Sequence, residues 1–226
     1  MKRKVLNKIL KNPMSITGDA DLDAQLNALL YHDDIEYVKQ GLEIADSLGV
    51  DVLDKAVGEM IAGGVIKVDD VDIGNRVEQR NWFIFLFELQ KQQDKPFKFW
   101  KKFKYLDLSF NDIEDYLPYF KNLTNLDSLI LDDCYLEEFP QNFKFLKKLK
   151  GLSLARNEIS EIPEWIDTFK KLEYFDLASN DIYDLPDSIT KLKKLKWISL
   201  KGNPIATSTK TMNQLRIEMP YLDIWY

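Results

Sequence analysis

Asn111, Cys134, Asn157, Asn180 and Asn203 stand 23 residues apart, with no insertion between any pair. A strict period in the twenties constrains a chain more tightly than composition can. Each period must form one coil, and neighbouring coils must stack to bury apolar sides that one coil alone leaves wet. Other positions keep step with these anchors. Leu108, Leu131, Leu154, Leu177 and Leu200 stand three before them, and Leu106, Leu129, Leu152, Phe175 and Ile198 five before. Phe103, Leu126, Leu149, Leu172 and Leu195 stand eight before, and Ile113, Leu136, Ile159, Ile182 and Ile205 two after.

Within a period, the stretch LSLARN (152–157) alternates apolar and polar, which predicts a short strand with side chains pointing in and out by turns. After the anchor an apolar residue meets proline at Phe139-Pro140, Ile162-Pro163 and Leu185-Pro186, slipping by one to Leu117-Pro118 in the first repeat. Two more apolar columns close each coil, one through Phe120, Phe143, Ile166 and Ile189, the other through Leu123, Leu146, Phe169 and Leu192. A buried Asn amide at the anchor has donors and an acceptor for turn backbone that would otherwise go unpaired.

The pattern L-x-x-L-x-L-x-x-N/C-x-L over Phe103 to Ile205 resembles the leucine-rich repeat family. The 23-residue unit with L-P after the anchor is similar to the intracellular repeats of scribble, erbin and the Ras-scaffolding proteins. It departs from the secreted type, since no Cys cluster flanks the array. The resemblance implies an α/β fold: a right-handed solenoid with parallel strands on its concave face, which binds other proteins.

A half repeat is expected from Phe97, because Phe97, Trp100 and Phe103 lie 23 before Phe120, Leu123 and Leu126. The polar run QKQQDK (90–95) before Pro96 then marks a boundary, giving a helical domain over 1–95 and the repeats over 96–226. Within the first domain, Leu22, Leu26, Leu29 and Leu30 recur at helical spacing behind the capping candidates Asp19 and Asp21. A second helix is predicted over 34–48 with Ile35, Val38, Leu42, Ile44, Ala45 and Leu48 on one side, stopped by Gly49. A third covers 50–61, a short strand or loop 65–75, and an apolar helix 80–90 that packs on the first repeat. Residues 33–51 resemble HEAT-type helices and the helical leaders of some bacterial leucine-rich proteins. A solenoid end needs such a cover, so 1–95 is expected to be an all-α N-terminal cap. At the other end a helix over 207–218, stopped by Pro220, and a strand holding Leu222 and Ile224 resemble a natural C-terminal cap, so the chain is expected to be complete there.

Composition closes several routes to chemistry. The one histidine, His32, admits no triad and no multi-histidine metal site. Cys134 sits in the anchor column, where burial is its expected role. No phosphate-binding glycine loop or nucleophile elbow is present, and Asp69, Asp70 and Asp72 lack the Gly and distal Glu of a calcium loop. No catalytic residue, cofactor or metal is assigned. The winged-helix resemblance of 50–61 and GGVIKVDD conflicts with its charge: residues 1–96 hold 12 Lys and Arg against 17 Asp and Glu. With a net charge of −6 overall, nucleic acid is not an expected partner. A single Cys fits a reducing, cytoplasmic setting. No apolar run reaches the ~20 residues of a membrane helix, and the basic start MKRKVLNKILKNP is too interrupted for a secretory signal.

What remains is surface. Outward columns on the strand face run through Tyr105, Ser128, Gly151, Tyr174 and Trp197, then Asp107, Ile130, Ser153, Asp176 and Ser199, then Ser109, Asp132, Ala155, Ala178 and Lys201. Aromatic side chains among small neighbours are what interface hot spots look like. A protein or peptide partner is therefore expected on Tyr105, Ile130, Asp132, Arg156, Tyr174, Asp176, Trp197 and Lys201. The competing role for Tyr174 and Trp197 is to cover the sheet, packing on the C-terminal strand. Lysine pairs at 147–148, 170–171 and 193–194 make one flank basic, and Glu137, Glu138, Glu158, Glu161, Asp181 and Asp184 make the other acidic. The free chain is expected to be a monomer or to self-associate weakly. The alternatives are a self-assembling structural protein, a regulatory subunit of an enzyme, or a weak hydrolase with a carboxylate pair between residues 60–80 and the array.

Overall fold

In the computed structural model, residues 19–30, 40, 41, 44, 83, 84, 86, 87, 90, 91 and 96–226 are described. The expected elements at 50–61 and 65–75, the basic start and His32 lie outside them. The described residues divide into two compact units, one holding 19–30, 40, 41, 44, 84, 86, 87, 90, 91 and 96–99, the other holding Phe83 and Trp100–Tyr226.

In the first unit, helix α1 spans Ala20–Leu30. Asp19 caps it: its carboxylate accepts from the backbone N–H of Asp21 at 3.0 Å and of Leu22 at 3.1 Å. Asp21, the other capping candidate, lies inside the first turn, where a carboxylate suits the positive end of the helix dipole. Backbone at residues 40, 41 and 44 is helical, as it is at 84, 86, 87 and 90. Leu86 and Phe87 are fully enclosed, whereas Ile44 is exposed.

The second unit is built from the repeats. Six three-residue strands, Tyr105–Asp107 (β1), Ser128–Ile130 (β2), Gly151–Ser153 (β3), Tyr174–Asp176 (β4), Trp197–Ser199 (β5) and Asp223–Trp225 (β6), form one parallel sheet in chain order. Tyr105, Ser128, Gly151, Tyr174 and Trp197 are register partners, so the period of 23 is the inter-strand step. The strand expected at 152–157 starts one residue earlier and ends at Ser153. The middle residues Leu106, Leu129, Leu152, Phe175 and Ile198 point inward and are buried. The columns of Phe120, Phe143, Ile166 and Ile189 and of Leu123, Leu146, Phe169 and Leu192 are enclosed as well. Phe83 joins this core, its ring edge-on to Phe103 at 4.8 Å.

Each of the first five strands leads on to a 3-10 helix, and in the second to fourth repeats the apolar-Pro pairs explain where these begin. Pro140, Pro163 and Pro186 sit in extended conformation one residue before the helices Gln141–Phe145, Glu164–Thr168 and Asp187–Lys191. Their fixed φ sets the entry, and they have no N–H for the first turn to leave unpaired. In the first repeat the one-residue slip has a consequence: Pro118 falls inside a longer 3-10 helix, Glu114–Asn122.

The anchors knit the coils together. Asn157 donates from its amide nitrogen to the carbonyls of Leu131, Leu154 and Ala155, and its oxygen accepts from the N–H groups of Cys134 and Leu136, both at 3.0 Å. Asn180 takes Ile159 N–H in the same way, and Asn203 takes Ile182 N–H. Each Asn thus satisfies backbone in its own turn and in the preceding one. Cys134 occupies the same column; its thiol donates to Leu108 O at 3.3 Å.

Immediately before each anchor stands a residue with left-handed backbone: Phe110, Asp133, Arg156, Ser179 and Gly202, with φ between 53° and 75°. The chain must turn sharply out of the strand there. Only Gly202 adopts this conformation without the cost of a side chain, and a Cβ built on it would stand 3.1 Å from Ser179 Oγ.

After Asn203, a 3-10 turn at Pro204–Thr207 leads into helix α2, Thr209–Glu218, capped by Ser208 through the N–H of Thr211. Pro220 follows its C-cap, Met219. Leu222, expected within the last strand, precedes it. Ile224 is the inward residue of β6, in register with Ile198, and the step from Trp197 to Asp223 is three residues longer than the repeat.

Candidate functional site

Alternation places two residues of every strand on the open face of the sheet. The structure brings Tyr174 and Trp197 to adjacent rungs, with Ser153 and Asp176 adjacent in the next column. Tyr174 is 52% exposed and Trp197 half-buried. Ile130, Asp132 and Asp176 are half-buried, and Arg156 and Lys201 are exposed. Tyr105 differs. It is 7% exposed, so little of its ring is available to a partner.

The middle of the face is occupied with itself. Asp132 accepts from the hydroxyl of Ser153 and from Ala155 N–H at 3.2 Å, while Arg156 reaches Asp132 at 3.5 Å and Asp133 at 2.5 Å. Burial raises the pKa of Asp132, against the lowering pull of the Ser153 hydroxyl and Arg156. The Asp133 hydrogen bond is the main reason Arg156 holds its proton still more firmly than usual. A partner engaging Arg156 meets a guanidinium already shared with two carboxylates through Nε and Nη2, with its remaining N–H donors still exposed.

The C-terminal rungs offer more than the sequence pattern shows. Trp225 lies on β6 in register with Ser199, and its ring is edge-on to Trp197 at 6.1 Å. Part of Trp197 does therefore cover the last strand. Yet Trp225 is itself 57% exposed, so packing the two rings extends the aromatic surface. Periodicity could not find Trp225, because the last step is 26 and counting in 23s puts no aromatic there.

Below the face, the lysines just before the strands are matched to acids one repeat away. Lys150 pairs with Asp127 at 3.0 Å, and Lys196 with Glu173. Both pairs are solvent-exposed and contribute little to stability. On the acidic flank, an open groove of about 540 Å³ runs between Ser160–Glu164 and Tyr183–Asp187, and a neighbour of about 350 Å³ runs along Glu137, Glu138 and Glu161. Their ionisable lining is acidic only, so neither pairs an acid with a basic group.

Cys134 is 2% exposed, and burial pushes its thiol up to about 12, which keeps it protonated and unreactive. Among the described residues, no group of His, Cys, Asp and Glu could hold a metal ion, and no helix is long and apolar enough to cross a membrane.

Residues 124–182 match the leucine rich repeat family. No curated protein matches the chain. Among solved structures, a leucine-rich repeat protein of Leptospira interrogans is 30% identical over 56% of this chain and 32% of its own, with a TM-score of 0.49. The Drosophila melanogaster SNF/U2A′ complex contains a chain 29% identical over 44% of this one and 59% of its own, at 0.40. The PEPR1–AtPEP1 structure is 28% identical over 50% of this chain and 16% of its own, at 0.41. The chain thus spans less than two thirds of the length of each.

Proposed function

Because this chain is a leucine-rich repeat protein, we propose that it is a non-catalytic interaction module whose open sheet face docks a protein or peptide. Stacked repeats build extended surfaces suited to this. The observation that carries the reading is the aromatic cluster of Tyr174, Trp197 and Trp225 on that face. Gly151, Ala155 and Ala178 leave space beside it. Rings of this kind supply large contact area at a low cost in conformational freedom.

The reading extends to the setting. A lone, buried Cys134 suits a reducing, cytoplasmic compartment, and the net charge of −6 disfavours nucleic acid. The free chain is a monomer or a weak self-associator.

The test is affinity capture from source-cell lysate, using wild type and a Tyr174→Ala, Trp197→Ala variant. The variant is expected to melt near the wild-type temperature, since both rings are partly solvent-exposed. A partner bound by wild type should fall at least 100-fold in affinity, the loss of about 2.7 kcal/mol that two hot-spot rings account for. Equal recovery on both would remove the sheet face as the site.

A further inference from the structure

The last three strands present a small grid. One column reads Tyr174, Trp197, Asp223, and the next reads Asp176, Ser199, Trp225. Ser199 is buried, so the exposed chemistry is three rings with a carboxylate at two opposite corners. We propose that this grid is a receptor for an extended, cationic peptide segment, with Lys or Arg side chains lying over the rings and pairing with Asp176 and Asp223. This rests on the sheet-face reading above and names the chemistry of the partner.

Charge and geometry support it together. Aromatic faces attract cations, and a nearby carboxylate adds a direct ion pair. Both acids are held in place from one side. Asp176 Oδ1 accepts from Ala178 N–H at 3.0 Å, and Asp223 Oδ2 from the indole N–H of Trp225 at 3.2 Å. Neither has a basic partner within ion-pair distance among the described residues, in contrast to Asp132 and Asp133. The nearby cations are engaged: Lys196 by Glu173, and Arg216 by the ring and hydroxyl of Tyr226. Lys201 stands two residues after Ser199, in the repeat column of Ala178, and is in no ion pair with Asp176 or Asp223 within 4.0 Å.

Spacing favours an extended ligand. Two rungs across and two residues along put the backbones of Asp176 and Asp223 about 12 Å apart. Four residues of extended chain span ~13 Å. Cations at positions i and i+4 of a strand-like segment could therefore meet both corners at once.

The probe is an acetylated, amidated Arg-Ser-Arg-Ser-Arg-Ser peptide, set against versions with citrulline or glutamate in place of arginine. It is titrated into the full chain while the five Trp indole N–H signals are followed by NMR, assigned through single Trp→Phe variants. The arginine peptide should shift Trp197 and Trp225 saturably and lose affinity as salt rises, with citrulline at least tenfold weaker. Asp176→Asn with Asp223→Asn, which keeps the amide oxygens as acceptors, should lower the arginine peptide to the citrulline level. Equal affinity for arginine and citrulline, no effect of the Asn pair, shifts confined to Trp165, or no shift with any peptide would each overturn the proposal. The capture experiment stands apart from this titration: a partner lost by Tyr174→Ala, Trp197→Ala keeps the sheet-face reading even where the cationic ligand fails.

Discussion

Asn157→Ala should destabilise the protein by about 3–5 kcal/mol, far more than an exposed Asn→Ala change. The amide is buried and makes five hydrogen bonds, three to carbonyls and two from N–H groups. Removing it strands the N–H groups of Cys134 and Leu136 inside the coil, and each unsatisfied buried donor costs about 1–3 kcal/mol. Asn111 is the internal control. It is half-buried and donates only to Leu108 O and Ser109 O, so Asn111→Ala should cost nearer ~1 kcal/mol. The same reasoning gives Cys134→Asn the opposite sign. The sulfur is a weak donor and acceptor, and an amide there completes the column, a gain of about 1–2 kcal/mol if the larger side chain fits as it does at Asn157 and Asn180. Urea denaturation read by circular dichroism ranks the three. Equal costs for Asn157→Ala and Asn111→Ala would show that the amide column does not hold the coils together.

Phe139→Ala should have a comparable effect through packing rather than hydrogen bonding. Phe139 is 4% exposed, and its ring is edge-on to three others: Phe143 at 5.9 Å, Trp165 at 5.4 Å and Phe175 at 6.4 Å. It therefore ties strand β4 to the 3-10 helices of its own and the next repeat. Truncating a buried Phe costs about 3–5 kcal/mol, a range that includes the cavity left behind. Phe139→Leu, which keeps most of the volume, should cost under half as much. For a chain of this length 1 kcal/mol moves the melting temperature by roughly 2–4 °C, so calorimetry separates the two variants. A common melting temperature would mean that neighbouring rings refill the space.

These two residues also show what kind of information the sequence carried. Both columns were legible because a periodic fold repeats its demands: an amide where the turn must be satisfied, an apolar side chain where the coil must close. The prolines after the anchors were legible for the same reason, and even the slip to Pro118 had a structural counterpart in the longer helix Glu114–Asn122. The left-handed column was not. Phe110, Asp133, Arg156 and Ser179 share one backbone conformation without sharing a side-chain type, and only Gly202 carries the usual signal.

The interaction surface was legible in part. Tyr174 and Trp197 follow from the column count, because register makes them neighbours. Tyr105 follows from the same count yet is buried, a difference in exposure that a shared column does not encode. Arg156 reads as an available cation in sequence, but Asp132 and Asp133, one repeat earlier, hold it. Trp225 escaped because the last coil is three residues longer. Period predicts what repeats; a surface is made largely of what does not.

The most direct test of the sheet-face account is site-specific photo-crosslinking in source cells. A benzophenone amino acid is placed singly at Ala178 on the face, Lys170 on the basic flank and Glu161 on the acidic flank. The account predicts one partner adduct, formed from Ala178 and abolished by Tyr174→Ala with Trp197→Ala. Adducts from Lys170 or Glu161 with none from Ala178 would contradict it and move recognition to the charged flanks.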